Sequence, residues 1–498
     1  MNVNPITRLD YPDPDVIRVE DTYYMVSTTM HFMPGCEILQ SFDLVHWEHV
    51  TYVYETLDHT DAQQLKSGQN IYGQGMWAAS LRYHEGRFYI CFVANDTRKT
   101  YLYTSEKIDG SWKKQLIEGF YHDGSLLFDE DGRNYIVYGN DEIWITELNE
   151  DLTAPKKDGL HRLLVSDHKN PELGYEGSHI QKINGYYYIF LVHSLRDRWM
   201  RTEACFYSDS LEGEFTGGDV LCDDRGYCGQ GVAQGGIVDT PDGKWYAMLF
   251  QDSGAVGRIP ILLPVTWKDH FPIFGQNGHV PEEIEVHSTR PGYIYQPLVG
   301  SDDFCNGLLP RWQFNHDPDP RYYHLDALQG TYTITTREVC TELTQAVNTL
   351  TQRMSYPSCA AEVTVDASAL KEGDVAGLCA LQGCYAAVGI TKHHGKYEVL
   401  MLDKKEDGIL DMTEGTVVES HQMDFRLEAD FCNMKDEARC YYRVNKGDWL
   451  PIGTVHKLYF KLDHFTGCRF GLFCYAAEET GGSACFRDFK YYDVDEIS

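Results

Sequence analysis

A short pattern repeats five times in the first half of the chain and constrains the fold more than any other feature. An acidic residue or Asn, usually followed by Gly, precedes a Tyr-rich apolar run. The copies are Glu20-Asp21-Thr22-Tyr23-Tyr24, Glu85-Gly86-Arg87-Phe88-Tyr89, Asp131-Gly132-Arg133-Asn134-Tyr135, Asn184-Gly185-Tyr186-Tyr187-Tyr188 and Asp242-Gly243-Lys244-Trp245-Tyr246. Asp-Gly or Asn-Gly between apolar runs marks a tight hairpin, because both central residues of a type I′ turn need positive φ. Each copy therefore predicts strand, two-residue turn, strand. The last tyrosines of successive copies are 65, 46, 53 and 58 residues apart. A weaker signal, an outer strand and then a polar turn, follows several copies at Ser41-Phe42-Asp43-Leu44, Thr104-Ser105-Glu106 and Tyr207-Ser208-Asp209. Four short strands about every 50 residues, repeated around an axis, describe the blades of a β-propeller. The chain is thus expected to be all-β, with a five-bladed β-propeller over residues 1–292. An array of sandwiches with coincidental turns is the competing arrangement, and blade-length spacing counts against it.

In a propeller the innermost strand of each blade lines the central channel. Counting back from each anchor tyrosine reaches the start of that strand. Asp13 lies 11 residues before Tyr24, and Trp77, Asp123, Glu176 and Gln234 lie 12 residues before their own anchors. Repeat symmetry turns these five side chains toward one end of the axis. A single Asp at a strand start is ordinarily a turn or cap residue. Three carboxylates at matched offsets are different, because like charges in a shared, partly desolvated mouth push at least one pKa upward. A raised acid beside an ionised base is what glycoside hydrolysis needs: the acid protonates the departing oxygen and the base activates water on the other face of the sugar. The third carboxylate can orient the acid and keep its pKa up. Trp77 offers a flat apolar wall for a sugar ring. A metal cluster is the rival use of the same set, and oxygen-only ligands would suit Ca²⁺ rather than zinc.

Charge narrows the partners. The 43 basic and 75 acidic residues leave a net −32, a field that repels phosphate backbones and anionic membrane faces, so neither nucleic acid nor membrane is expected as a partner. A small neutral oligosaccharide is compatible with it, while a homo-oligomer is neither required nor opposed. The segment from Met1 to Asp10 holds no apolar signal core, and no run approaches the roughly 18 apolar residues of a spanning helix. The 15 cysteines are odd in number and scattered, without a Cys-x-x-Cys pair. They read as reduced, mostly buried hydrophobes of a cytoplasmic protein.

At the mouth residues the sequence resembles glycoside hydrolase family 43. Asn4-Pro5-Ile6 followed by Tyr11-Pro12-Asp13-Pro14-Asp15 resembles that family's general-base segment. Asp123-Gly124-Ser125-Leu126-Leu127-Phe128 resembles the segment of its third carboxylate, and Tyr175-Glu176-Gly177-Ser178-His179 the general-acid segment. The resemblance implies Asp13 as base, Glu176 as acid and Asp123 as the group that orients the acid and tunes its pKa. Met76-Trp77-Ala78-Ala79 is similar to the family's Trp-Ala-Pro segment, with Ala79 in place of Pro. The resemblance also implies Phe32, within His31-Phe32-Met33-Pro34-Gly35, as an aromatic that shapes the terminal-sugar pocket, and Arg258 as a substrate-binding residue. Taken alone, Arg258 would read as a surface ion pair. Many relatives place a His where Gln234 stands, near an ion or water in the channel; Gln here argues against calcium, and no cofactor is required. Members of this length act mainly as β-xylosidases or α-L-arabinofuranosidases that invert configuration, which implies roughly 6.5–9.5 Å between the carboxylates of Asp13 and Glu176. The expected activity is exo-acting removal of terminal xylose from the non-reducing end of short β-1,4-xylo-oligosaccharides. The alternative is α-L-arabinofuranosidase action, alone or as a second activity. A non-catalytic sugar-binding propeller or an interaction scaffold would not need three acids at matched offsets.

A break falls near residues 281–303, at Pro281-Glu282-Glu283, Arg290-Pro291-Gly292 and Gly300-Ser301-Asp302-Asp303. Beyond it come short alternating strands at Tyr332-Thr333-Ile334-Thr335, Ala361-Glu362-Val363-Thr364-Val365, Tyr385 to Ile390, Phe470-Gly471-Leu472-Phe473 and Phe486-Arg487-Asp488-Phe489. This spacing predicts a two-sheet sandwich over residues 302–498. It resembles the concanavalin-like β-sandwich that follows the propeller in longer xylosidase-type relatives, where a loop of the sandwich can wall the active site. His464-Phe465-Thr466-Gly467 is the segment expected to do so here. A bracing role for this domain is favoured over polymer binding.

Overall fold

The computed structural model describes residues 2–493. Among these residues there is no α-helix, only strands and three short 3-10 turns. Five four-stranded antiparallel sheets follow one another in chain order, and their innermost strands are Asp15–Val19, Met76–His84, Ser125–Phe128, Glu176–Ile183 and Ala233–Asp239. These are the five blades of a propeller. Each neighbouring pair of blades encloses its own apolar core; the pair formed by the first and second blades, for example, packs Val26, Ile38 and Tyr54 against Leu81, Phe92 and Tyr103. The tight-turn expectation holds in three blades, at Glu20-Asp21, Glu85-Gly86 and Asn184-Gly185. In the third and fifth blades the hairpin loops run longer, over 129–133 and 240–244. There the Asp-Gly pair sits inside a larger loop closed by Gly132 N–H to the carbonyl of Asp129 and by Gly243 N–H to that of Thr240.

The ring closes at the N-terminus. Asn2–Val3 pairs antiparallel with Glu283–Ile284. The Asn4 amide donates to the Leu262 carbonyl at 2.7 Å and accepts from the Leu262 N–H at 3.1 Å, so the start of the chain is sewn to the fifth blade. On the axis, Arg82 of the second blade donates to Asp15 at 2.8 Å, to Ser125 Oγ at 2.7 Å and to the carbonyls of Leu126 and Ile180. One partly buried guanidinium therefore ties the innermost strands of four blades together.

The C-terminal part forms two stacked sheets over a large common core. All five strand segments expected from the sequence lie in them. The two parts of the molecule are continuous in three ways. Phe32–Met33 of the first blade pairs with Gln313–Asn315 and becomes the edge strand of a sandwich sheet. Ala255, Val256 and Ile259 of the fifth blade enter the sandwich core. Arg353 of the sandwich makes a 2.8 Å ion pair with Glu37 of the first blade, both fully buried.

Candidate active site

The mouth residues are presented by unusual backbone at the heads of the innermost strands. Asp13, Asp123 and Gln234 adopt φ of 53°, 48° and 64°. Left-handed backbone outside glycine costs about 1–3 kcal/mol and persists where surrounding contacts impose it. In the second, fourth and fifth blades the register slips at the same place, between Met76 and Ala79, Glu176 and His179, and Ala233 and Gly236. Such irregularities re-aim a side chain beside a site. Gly177, at φ +65°, has no alternative: a Cβ there would fall 2.6 Å from Gln234 Cγ.

Asp13 is 2% exposed. Its Oδ2 accepts the Thr28 hydroxyl at 2.5 Å and its Oδ1 accepts Arg258 Nη1 at 2.8 Å. Arg258 Nε reaches Asp252 at 3.2 Å, and Asp252 also takes Arg201. The Arg258 guanidinium lies 4.6 Å from the Phe250 ring centroid and 3.8 Å from that of Phe465. Arg258 is thus a buried clamp on Asp13, not a surface ion pair. Burial brings the Arg201 guanidinium down to about 9.

Asp123 accepts the Gly177 N–H at 2.9 Å, so it grips the backbone next to Glu176. Burial, helped by the charges of Glu176 and Asp13 and opposed by His122, pushes Asp123 up to about 6. Glu176 Oε2 accepts Asn140 Nδ2 at 2.7 Å. Burial acts to raise Glu176 too, but His122, with Arg201 and Arg258 behind it, holds the carboxyl below its usual range. The sequence reading expected the acid, Glu176, to be the raised group; the raised carboxylate is Asp123 instead. The reason is His122, whose Nε2 lies 3.5 Å from Asp123 Oδ2 and 3.5 Å from Glu176 Oε2. Burial pulls His122 down, yet Asp123, Glu176 and Asp13 carry it up to about 9.

Trp77 stands in the same mouth, edge-on to His122 at 6.1 Å and to Phe465 at 5.2 Å. Phe465 belongs to the sandwich loop. Gln382 holds that loop through the carbonyls of His464 at 2.9 Å and Thr466 at 2.8 Å, and Asp10 accepts the Gly467 N–H at 2.7 Å. The sandwich therefore supplies one wall of the site. Phe32 lies elsewhere in character: it is 2% exposed, with the Arg469 guanidinium 3.4 Å from its ring centroid and His31 beside it. Its ring packs against residues of the domain junction, and its backbone pairs with Gln313–Asn315. Gln234 is buried against Gly177, and its own N–H donates to Glu203 at 2.7 Å.

Sequence reasoning missed His122, Asn140, Arg201 and Asp252. The register points to one residue per blade, and these four come from neighbouring positions or from second and third strands. Only His122, adjacent in sequence to Asp123, left a signal. His122, Asp123 and Glu176 offer donor atoms within 4.8 Å of one another. That mixed nitrogen and oxygen set is not the all-oxygen shell calcium prefers, and a protonated His122 already supplies the positive charge. Deeper in the channel, both oxygens of Asp15 are engaged by Arg82, the Leu81 N–H and His179. Arg82 fills the cationic role there, so the residues do not fit a calcium ion.

Comparison with known proteins agrees with this geometry. The sequence model of Glycosyl hydrolases family 43 matches residues 3–272, and that of the Beta xylosidase C-terminal Concanavalin A-like domain matches residues 301–492. A β-xylosidase of Formosa agariphila is 27% identical, with 99% of this chain and 89% of the relative aligned. A xylosidase/arabinosidase of Butyrivibrio fibrisolvens is 23% identical over 99% of both chains. Among solved structures, a bifunctional GH43-CE of Bacteroides eggerthii is 42% identical with a TM-score of 0.92 over 99% of this chain, which spans 64% of that one's length.

Proposed function

The chain is a glycosidase belonging to glycosyl hydrolases family 43, and on that premise we propose that it removes terminal xylose from the non-reducing end of short β-1,4-xylo-oligosaccharides by a single displacement. Glu176 gives its proton to the glycosidic oxygen. Asp13, oriented by Thr28 and Arg258, takes a proton from the water that attacks the sugar carbon from the opposite face. Asp123 fixes Glu176 through the Gly177 N–H. Trp77 and Phe465 supply flat apolar faces for the sugar ring, and Arg258, beside Asp13 and Phe465, is placed to bind a hydroxyl.

The observation that carries the exo-acting reading is the Phe465 wall. A loop from the second domain packs on Trp77 and Arg258, which favours a pocket for a chain end over a cleft open at both sides. A small neutral sugar is the partner such a pocket suits, and a cytoplasmic location fits a short oligosaccharide that has already been imported. Arabinofuranosidase action is the second reading, since relatives include a xylosidase/arabinosidase and the two terminal sugars present similar hydroxyls. The test is the rate of 4-nitrophenol release from the β-xyloside and the α-L-arabinofuranoside, together with hydrolysis of xylobiose. Xyloside and xylobiose cleavage supports the proposal; cleavage of the arabinofuranoside alone transfers it to the second reading; a folded protein inactive on all three overturns both.

A further inference from the structure

His122 is a charged side chain at the mouth that the reaction described above does not use; two others, Arg201 and Asp252, are paired with each other. Its Nε2 is buried, lies 3.5 Å from both Asp123 Oδ2 and Glu176 Oε2, and has no hydrogen-bond partner. The backbone at His122 is fixed by the Gly139 N–H, which its carbonyl accepts at 3.0 Å, and the Trp77 ring lies edge-on to the imidazole at 6.1 Å. A nitrogen in ion-pair range of two carboxylates, and hydrogen-bonded to neither, is poised to exchange a proton with either. We propose that His122 is a positioning residue that stores the acid's proton: the resting site keeps that proton on Nε2, and Glu176 receives it when a sugar fills the mouth.

The proposal rests on the reading of Glu176 as general acid, and it answers a difficulty in that reading. In the resting site Glu176 is held below the usual carboxylate range while the imidazole is carried up to about 9, so the proton is on the wrong group for chemistry. The groups facing His122 are Asp123, Glu176 and Asp13; Glu176 is also faced by Arg201 and Arg258. A sugar that fills the partly open mouth removes the remaining water from an imidazolium–carboxylate pair. Desolvation penalises two charges more than the neutral imidazole and carboxylic acid that follow transfer. The Nε2–H bond breaks as the Oε2–H bond forms. Glu176 then passes the same proton to the glycosidic oxygen as that oxygen leaves the sugar carbon, while the attacking water gives its proton to Asp13. After product release Asp13 loses that proton to solvent and Nε2 takes a fresh one. Protons and charge balance over the cycle.

The test is the pH dependence of kcat/KM on a phenyl glycoside and a 2,4-dinitrophenyl glycoside of the preferred sugar, for the native enzyme, His122→Gln, His122→Lys and Glu176→Gln. The phenyl substrate needs its leaving group protonated and the dinitrophenyl one does not. For His122→Gln the alkaline limb on the phenyl substrate should move down by at least about one pH unit, with roughly tenfold or more lost near pH 8 and little lost near pH 5.5, and with the dinitrophenyl substrate almost unaffected. His122→Lys restores the charge without a readily released proton, so its alkaline limb should stay low. An alkaline limb unchanged in His122→Gln, or restored in His122→Lys, overturns the proposal. If Glu176→Gln keeps its activity on the phenyl substrate, the general-acid reading itself fails, a different result from failure of the store alone. A readout without substitution is the ¹⁵N-histidine spectrum of the native enzyme: a His122 ring that titrates below about pH 7 overturns the proposal whatever the variants do.

Discussion

Asp13 and Glu176 face one mouth but are held by unlike partners, and that difference suits the roles proposed for them. Asp13 meets a hydroxyl and a guanidinium that are themselves fixed, Thr28 by its N–H to the Pro12 carbonyl and Arg258 by Asp252. Glu176 meets an amide and an imidazole, and its side chain keeps 21% exposure. A base that must hold a water needs fixed geometry; an acid that must meet an incoming oxygen needs access. Replacing Glu176 by Ala should therefore cost about 10²–10⁴ in kcat/KM on xylobiose but little on an activated aryl xyloside, whose leaving group departs without help. Equal losses on both substrates would contradict the assignment. Asp13→Ala should be inactive on both, since either substrate needs the attacking water. The three carboxylates were legible in the sequence because the repeat gives each blade the same register. Their relative proton affinities were not, because these depend on His122 and on burial, which register does not encode.

At the scale of the element, the innermost strands do two jobs with one device. Their bodies pair regularly with the next strand, and their heads slip or turn left-handed to aim a side chain at the axis. The hairpins were legible from the polar pair ahead of each Tyr-rich run, but their lengths were not: both Asp-Gly copies, Asp131-Gly132 and Asp242-Gly243, sit inside longer loops. The fusion of Phe32–Met33 to the second domain was not legible, because it rests on the pairing with Gln313–Asn315, far away in the sequence. The wall loop depends on Asp10, whose two oxygens accept the Arg258 N–H at 2.8 Å and the Gly467 N–H at 2.7 Å. Asp10→Ala would leave both donors buried and unpaired, at about 1–3 kcal/mol each. The expected result is a lower Tm together with a higher KM, because Phe465 loses its anchor. A variant that is destabilised with an unchanged KM would show that the loop is held by other means.

Over the whole molecule, the propeller and the sandwich share a sheet edge, an apolar core and the Arg353–Glu37 pair. The two-part division was legible from the end of the repeat, but this degree of fusion was not, since it rests on pairings between residues far apart in the sequence. Charge and burial also set a pH dependence. Asp10, Asp123, Asp317, Asp374 and Asp436 are each raised to about 6, in each case first by burial. Raised groups stabilise the fold most when protonated, so their contribution is lost as pH climbs from about 4 through 6. Glu37 runs the other way: burial is outweighed by Arg353 and His49, which hold it at about 2, so its contribution is lost only as pH falls below about 4.5. Self-repulsion from a net charge of −32 adds to the loss on the alkaline side. The buried imidazoles of His31, His316, His456 and His464, each lowered first by burial, gain their contribution as pH climbs through about 6.5 and offset the loss from the raised carboxyls. Tm should therefore change little between about pH 5 and 7, and added salt should raise it at pH 7 by screening the self-repulsion; a Tm that falls on adding salt would contradict this balance. The central claim, that Glu176 and Asp13 act on opposite faces of one sugar in a single displacement, is tested most directly by proton NMR of xylobiose hydrolysis in its first minutes. Direct displacement at a β-linkage predicts α-xylose as the first signal of the released non-reducing-end sugar, with the β-anomer growing in later by mutarotation. β-Xylose appearing first would mean a covalent intermediate and retention, and would contradict the account.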